Sequence, residues 1–360
     1  MAVASPDRLR DELVRLVHRG SDVRAFSLGA ARVLARAVPF DGVCMLTLDP
    51  ATLLPTGEVV ENGLPEAATA RMAEIETRGE DVNAFDALVR SGRGAASLSA
   101  ATGGDLDRSQ RHRELRGPNG FGDELRAVLV SDSATWGGLT LLRGADHDPF
   151  TPADAALVAA LSPALAEGLR RSLLLSDLDA PRGERDPSAG LALLAPDHAI
   201  VRADAAAERW LDELRAEGRG DPLPGVVTAV ASRARAIVDG TAAPGALARA
   251  RVRTRSGTWV LVRASTLGDG ADAPTAVILE PARPEELAPL VAHGYGLTDR
   301  ERAVTRLIAQ GLPTNAIAGR LHISPWTVQD HLKSIFEKAG VGSRGELIAR
   351  VFFEQDGPRL

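Results

Sequence analysis

Hydrophobic residues recur at helical spacing near the C-terminal end of the chain, and polar capping residues precede each run. Thr298 is a good N-cap and has the spacing of a capping box with Glu301, so a helix is expected to begin here and to end at Gln310-Gly311. Its buried face is predicted to consist of Val304, Leu307 and Ile308. A second, shorter helix is predicted over 314–321, with Thr314 as its cap.

A third helix is predicted from Ser324-Pro325 to about Ala339, because serine caps a helix and proline is tolerated at its first position. Its inward stripe is expected to be Val328, Leu332 and Ile335. The opposite face carries Trp326, Gln329, Asp330 and Lys333, with Glu337 further along. A fourth helix, capped by Ser343, has the apolar positions Leu347, Ile348, Val351 and Phe352. A helix with exposed hydrogen-bonding side chains near its start, docked on a shorter helix, is the geometry that enters a DNA major groove.

The stretch from Gly296 to Phe353 resembles the LuxR-type DNA-binding domain of bacterial transcription regulators. The resemblance implies that the third helix is the recognition helix and that the fourth supplies a dimer contact. The predicted DNA-binding residues are Thr314, Asn315, Ser324, Trp326, Thr327, Gln329, Asp330, Lys333 and Lys338. The sequence departs from many relatives at Trp326 and Gln329-Asp330, where basic or small residues are common. Asp330 would face a polyanion or accept a hydrogen bond from cytosine N4.

The distribution of charge supports this interpretation only modestly. The chain carries a net charge of −6, which by itself disfavours nucleic acid. From Val291 onward, nine basic residues stand against seven acidic ones, a net charge of +2 that leaves −8 for the remainder. Lys333 and Lys338 are the only lysines of the chain. Few cations per domain favour binding as a dimer.

Residues 1–176 are predicted to form a first block with two leading helices (Asp7–His18 and Val23–Val38) and a strand at Asp41–Leu48. Two further strands are expected at Arg126–Ser131 and Thr135–Leu142, joined by a polar turn. A long helix follows Thr151-Pro152 and extends to Leu175. This order, with the strand pair GDELRAVLV and WGGLTLL, resembles a GAF sensor domain.

Residues 189–282 are predicted to form a smaller second block. A hairpin is expected from Leu191–Leu194 and Ala199–Arg202, followed by a helix over Ala205–Leu214. The later strands are predicted at Ala250–Thr254, Thr258–Ala264 and Ala276–Leu279. The order of strands and helices is similar to that of a PAS domain.

Changes in composition suggest the domain boundaries. Residues 177–188 are rich in charge, proline and glycine and are predicted to be a linker, and 283–293 a second, partly helical one. The predicted fold is therefore multidomain α+β. Antiparallel-sheet GAF-like and PAS-like sensor domains are followed by an all-α four-helix LuxR-type helix-turn-helix domain at 294–356.

The sequence lacks the motifs of the common nucleotide-dependent enzymes. No lysine precedes Lys333, so neither a phosphate-binding P-loop nor a phosphoacceptor receiver domain is present. Gly117, Gly120 and Gly122 lack the strand and helix of a dinucleotide fingerprint, and there is no nucleophile elbow. An enzyme is not predicted, and the cofactor is unknown.

Several residues leave two interpretations open. Three histidines, His18, His112 and His147, are each either a surface or capping residue or a ligand of metal or haem. No second ligand is suitably spaced with them, which favours the surface or capping role. No metal site is therefore predicted. Cys44 is a small buried hydrophobe or a redox sensor. The leucine stripe of the long helix is core or a dimer seam. The scarcity of aromatic residues argues against an acyl-homoserine-lactone pocket.

The function expected from the sequence is that of a DNA-binding transcription regulator that couples a signal, sensed by the N-terminal domains, to operator binding. The expected partners are double-stranded DNA, a second copy of the chain, RNA polymerase and a small-molecule ligand. The alternative is a protein-interaction regulator whose helix-turn-helix has little affinity for DNA. A single cysteine, the absence of an apolar signal core and the absence of a long apolar run predict a cytoplasmic protein without membrane contact.

Overall fold

The computed structural model describes residues 5–19, 22–175, 188–215 and 223–350. The chain divides into two units, one of residues 1–131 and 135–281, the other of residues 282–360 together with 132–134. The first unit contains two five-stranded antiparallel sheets with their helices. The second consists of helices. The mixed α+β class and the C-terminal helices predicted from the sequence are confirmed.

The first sheet has the strand order β2-β1-β5-β4-β3. Its strands are β1 (Gly42–Leu48), β2 (Pro55–Glu61), β3 (Ala95–Ser97), β4 (Phe121–Ser131) and β5 (Ala134–Gly144). β1 pairs with both β2 and β5, so that Cys44 lies opposite Val60 on one side and Thr140 on the other. The strands predicted around β1, β4 and β5 are confirmed, whereas the sequence pattern did not reveal β2 and β3.

The helices of the first block are α1 (Pro6–Val17), α2 (Val23–Ala35), α3 (Thr69–Arg78), α4 (Phe85–Ser91), α5 (Leu98–Thr102) and α6 (Pro152–Leu175). α6 packs on β4, α1 and α2. The predicted cap of this helix is confirmed, because the Thr151 hydroxyl accepts a hydrogen bond from the Asp154 N–H at 3.1 Å. The stripe of apolar residues on α6 is buried within its own block, at Val158, Leu161, Leu165 and Leu169. These four residues therefore belong to the core and not to a dimer seam.

The second sheet has the strand order β7-β6-β10-β9-β8, which is the same pattern as the first. Its elements are β6 (Gly190–Leu194), β7 (Ile200–Ala203), α7 (Ala205–Leu214), α8 (Gly225–Val238), β8 (Arg249–Arg253), β9 (Trp259–Thr266) and β10 (Thr275–Pro281). The predicted strands and α7 are confirmed. α8 covers this sheet and also contacts α3 and β2 of the first block. The predicted linker at 177–188 lies outside the described residues, apart from Ser188.

The turn between β1 and β2 joins the two blocks. Leu54, which is 1% exposed, lies in the same hydrophobic cluster as Trp210 and Val227 of the second block. In the same turn, Asp49 is 3% exposed, and its Oδ2 accepts hydrogen bonds from the backbone N–H (2.8 Å) and Nε (2.9 Å) of Arg251 on β8. The two blocks thus share apolar core and a buried ion pair.

The second unit contains α9 (Pro284–Gly294), α10 (Asp299–Ala309), α11 (Thr314–Leu321), α12 (Pro325–Ala339) and α13 (Arg344–Ile348). Residues 283–293, predicted to be a linker, are thus almost entirely helical. The core of the second unit includes the predicted inward positions Val304, Leu307, Ile308, Val328, Leu332 and Ile335. Ile317 and Leu347 are also buried there. Val351 and Phe352 of the predicted fourth helix lie outside the described residues. Among the helices in the described ranges, none combines the length and apolar character needed to traverse a lipid bilayer.

Candidate nucleic-acid interface

α12 is held rigidly at both ends by local sequence signals. At its start, the Ser324 hydroxyl accepts a hydrogen bond from the Thr327 N–H at 3.0 Å, and Pro325 occupies the first turn. At its end, Gly340 adopts the left-handed conformation (φ 64°) that closes a helix. Val328 and Leu332 are buried against the rest of the domain. The caps and inward stripe predicted for this helix are therefore confirmed.

The outward face of α12 presents most of the predicted contact residues to solvent. Trp326 is 79% exposed, and Gln329, Asp330 and Lys333 are also exposed. Trp326, Asp330 and Lys333 follow one another at steps of four and three, which places them on one side of the helix. Ser324 and Asn315 are exposed near the starts of α12 and α11, whereas Thr327 is half-buried. The structure therefore brings these side chains to the start and outer side of one helix and the start of the next.

Thr314 is not the cap of α11, contrary to the expectation from the sequence. Pro313 occupies the N-cap position, and no side chain caps the helix there. The Thr314 hydroxyl instead accepts hydrogen bonds from Arg344 Nη2 at 2.7 Å and, more weakly, from Gln329 Nε2 at 3.5 Å. Arg344 also donates to the Leu312 carbonyl at 3.3 Å. Thr314 therefore positions the start of α11 within the domain.

Arg344 is a positioning residue that the sequence pattern did not reveal. It lies 30 residues from Thr314 along the chain, so no local spacing rule connects the two. Through its bonds to Thr314 and Leu312, it links α13 to the segment that enters α11. Such a link fixes the position of α13 relative to the start of α11.

Lys338 belongs to an internal network, and its contact with DNA stays a prediction. Its ammonium donates to Glu301 Oε2 at 2.7 Å. Glu301 is 4% exposed, and its other oxygen accepts a hydrogen bond from the Ser334 hydroxyl at 2.7 Å. Burial alone would raise the pKa of Glu301, but the bonds from Lys338, Ser334 and Thr298 lower that pKa to about 2. The ammonium of Lys338 is thus already neutralised by a fixed carboxylate.

The charge presented by the outward face is correspondingly small. Lys333 is exposed and has no hydrogen bond or ion pair with any residue that the structure describes. Asp330 and Glu337 are also exposed on α12, and they more than offset its charge. Binding to a polyanion through this face would rely on Lys333, on the positive end of the helix dipole and on uncharged hydrogen-bonding groups.

No cluster of three or more metal-ligating side chains occurs among the described residues. His112 is buried at 8% exposure, so it is not the surface residue expected from the sequence. His147 is exposed, and its Nδ1 lies 2.7 Å from Asp41 Oδ2. His18 ends α1 as its C-cap residue. Cys44 is half-buried.

Comparison with known proteins identifies the C-terminal segment. Residues 296–351 match the sequence profile of the family described as "Bacterial regulatory proteins, luxR family". A helix-turn-helix-type transcriptional regulator of Mycobacterium bovis is 48% identical over 58 residues, which are 16% of this chain and 7% of that protein. The nitrate/nitrite response regulator protein NarL of Escherichia coli K12 is 47% identical over 60 residues, or 17% of this chain and 27% of NarL. Both comparisons support a LuxR-type helix-turn-helix domain in this segment.

These similarities cover a small part of each protein. The chain spans only 7% of the length of the Mycobacterium relative, so the resemblance is confined to the helix-turn-helix segment. A solved GAF domain/HD domain protein from Geobacter sulfurreducens is 18% identical to this chain, with a TM-score of 0.32. The match covers 43% of this chain and 97% of the Geobacter chain. A TM-score this low assigns no fold to the N-terminal residues.

Proposed function

We propose that this chain is a DNA-binding transcription regulator in which α12 enters the major groove of an operator. The observation that carries the proposal is the exposed side of α12, with Trp326, Gln329 and Lys333, within the segment that matches the LuxR family. A rigid, capped helix with a large exposed aromatic and hydrogen-bonding side chains is suited to base-edge contact.

Each side chain of this face has a role that follows from its chemistry. Gln329 pairs with an adenine edge, for which it has both a donor and an acceptor. Lys333 contacts a phosphate, and the start of α12 at Ser324 and Thr327 lies against the backbone of the duplex. Trp326 supplies apolar contact with a thymine methyl group or a sugar. Asp330 accepts a hydrogen bond from cytosine N4. Without such a bond, its carboxylate would be repelled by the phosphates of the duplex.

The first unit senses the signal. Its two sheets share one strand order, and the order of helices and strands resembles that of GAF and PAS domains. A ligand bound there with different affinities in two arrangements of the protein would shift the population of the DNA-binding form. RNA polymerase is the partner through which such a regulator would act on transcription.

The active form is a homodimer that binds an inverted repeat. One helix with a single exposed lysine buries little surface, so a second half-site about ten base pairs away is needed for operator-level affinity. The full chain is therefore first used to select genomic fragments that it binds. Its affinity is then compared between palindromic duplexes and single half-site duplexes derived from them.

The deciding experiment measures affinity against salt concentration for the full chain and two matched variants. Lys333→Gln is expected to weaken binding to all duplexes and to flatten the plot of log affinity against log salt by about one unit, because one phosphate contact is lost. Lys338→Gln removes the other lysine and changes the net charge by the same amount. It is expected to leave the slope unchanged, since Lys338 is bonded to Glu301.

Two outcomes contradict the proposal. Equal effects of the two substitutions on the slope would show that net charge, and not the face of α12, governs binding. If a generic duplex is not retained at low salt, the helix-turn-helix serves protein contacts, a role that Asp330 and Glu337 on the outward face favour.

A further inference from the structure

The first unit contains a partly open cavity of about 220 Å³ between its two blocks. One wall is formed by β1, β2 and α3 of the first block, and another by the start of α8 in the second. The volume exceeds by far what a single water molecule needs. A small organic molecule therefore fits at the junction between the blocks.

Much of the lining is apolar. It includes the side chains of Leu46, Leu48, Val60, Leu64, Met72 and Val226. An apolar wall of this kind favours a ligand with a hydrocarbon or aromatic portion, because burial of that portion removes apolar surface from water.

Four arginines also line the cavity, and three of them have a buried hydrogen-bond donor without an acceptor. The Nε–H groups of Arg116, Arg126 and Arg233 are buried and meet no hydrogen-bond acceptor in the described ranges. Arg116 is 6% exposed and Arg126 is 3% exposed. Buried donors are nearly always hydrogen-bonded in proteins, and a buried charge is costly unless it is compensated.

Arg126 and Arg116 are partly compensated by neighbouring groups. The Nη1 of Arg126 donates to Glu76 Oε1 at 2.8 Å, and its guanidinium lies over the Phe85 ring at 3.7 Å. Arg116 Nε lies 3.4 Å from Glu124 Oε2 without forming a hydrogen bond. Burial lowers the pKa of Arg116, although Glu124 acts in the opposite direction.

Arg233 is the least compensated of the three. It lies on α8 and forms no ion pair within 4 Å among the described residues. Burial lowers the pKa of Arg233, and Asp86 opposes this effect only partly. Asp86 Oδ2 is already bonded to Arg90 at 2.6 Å.

The acidic groups of the lining do not supply the missing acceptors. Glu76 Oε1 is used by Arg111 and Arg126. Asp86 Oδ1 is the one buried carboxylate oxygen of the described lining that lacks a partner. Three unsatisfied donors against one unsatisfied acceptor favour a ligand that brings more acceptors than donors, which is the character of an anion.

We propose that this cavity binds a small organic anion, with its carboxylate or phosphate group held by Arg116, Arg126 and Arg233 and its apolar portion against the leucine-rich wall. The proposal names the ligand class of the sensing unit, and it depends on the proposed function only for the effect of the ligand on DNA binding. Because both blocks contribute to the site, an occupied cavity links them more firmly than an empty one.

Calorimetric titration of the full chain in the absence of DNA tests the site directly. The probes are phenylacetate and phenyl phosphate at up to about 10 mM, with phenylacetamide as the neutral counterpart and sodium chloride to match ionic strength. At least one anion is expected to bind at least tenfold more tightly than phenylacetamide. Phenylacetate alone would identify a carboxylate ligand, and phenyl phosphate alone a phosphate.

Arg233→Gln is the most informative variant, because Arg233 has no ion pair in the described structure whose loss would unfold the protein. It is expected to weaken anion binding at least tenfold, and to keep or raise the unfolding midpoint without a ligand, since a costly buried charge is removed. Arg249→Gln, at an exposed arginine of β8, is the matched control and should change neither quantity.

Three results would overturn the proposal: no binding of either anion, equal binding of phenylacetamide, or unchanged anion binding in Arg233→Gln. Repeating the DNA titration with bound anion separates the two proposals. Anion binding without any change in DNA affinity would retain the site and reject its role in sensing. Anion binding to a chain that does not bind DNA would retain the site and reject the proposed function.

Discussion

Replacement of Glu301 by glutamine tests how the helix-turn-helix domain is held together. One carboxylate connects the start of α10 to α12: its Oε2 accepts from the Thr298 N–H and from Lys338 Nζ, each at 2.7 Å, and its Oε1 accepts from the Ser334 hydroxyl. Glu301→Gln keeps the size of the side chain but removes its charge. The start of α10 then loses its charge-assisted link to α12.

The magnitude follows from the pKa of Glu301, which the hydrogen bonds lower from an ordinary 4.5 to about 2 despite the opposing effect of burial. A lowered pKa means that the carboxylate stabilises the fold at pH values above its unfolded pKa, and that this contribution disappears as the pH falls through 4.5 towards 2. The shift corresponds to at most about 3 kcal/mol. Because glutamine retains one acceptor and Lys338 is partly exposed, we expect a loss of about 2 kcal/mol at neutral pH.

Hydrogen exchange of the full chain, followed in peptides covering α10 and α12, measures this loss where it arises. Glu337→Gln is the matched control, because Glu337 is an exposed carboxylate on α12 with no partner among the described residues. Thermal unfolding at successive pH values between 5 and 3 should show a falling midpoint in the unmodified chain and a flatter dependence in Glu301→Gln. Similar losses for the two variants, or an unchanged pH dependence, would refute the reasoning.

Two further predictions concern the first unit. Gly168→Ala would place a Cβ 1.9 Å from Phe26 Cζ, so we expect overpacking to cost about 1–3 kcal/mol and to lower the melting temperature. Gly225→Ala is the control and should not lower the melting temperature, because the space around Gly225 is open. Asp49→Asn removes the charge that faces Arg251 in a buried ion pair and should destabilise the first unit by about 3 kcal/mol. The loss is measured as faster hydrogen exchange in β8. Unchanged exchange there would show that the pair does not join the blocks.

The parts of the fold that could be predicted are those determined by short stretches of sequence. Thr298 with Glu301, Ser324 with Pro325, and Ser343 specify helix starts within one turn, and the structure confirms all three. The sequence pattern did not predict α8, because this helix is buried on most of its surface and its apolar residues therefore show little helical periodicity. β2 is partly exposed and contains Gly57, so its strand signal was weak.

Two of the predicted site residues form internal contacts between distant segments that the sequence did not reveal. Lys338 meets Glu301 37 residues away, and Thr314 meets Arg344 30 residues away, so neither partner can be read from local spacing. Both side chains are typical of nucleic-acid contacts by type, and only the folded arrangement shows that each is already bonded. The cavity could not be predicted from the sequence either, because its walls come from segments of both blocks, such as β1 and α8, that are distant along the chain.

The insertion of Leu54 into the core of the second block has a consequence for which parts of the chain could be exchanged by recombination. An exchanged segment folds in its new context only if it carries its own buried core with it. A crossover at residues 177–188 would leave Leu54 and Asp49 without the apolar pocket and the arginine that receive them. A crossover just before α9 keeps both blocks together. The smallest exchangeable segment is therefore the pair of blocks, which would be replaced as a whole.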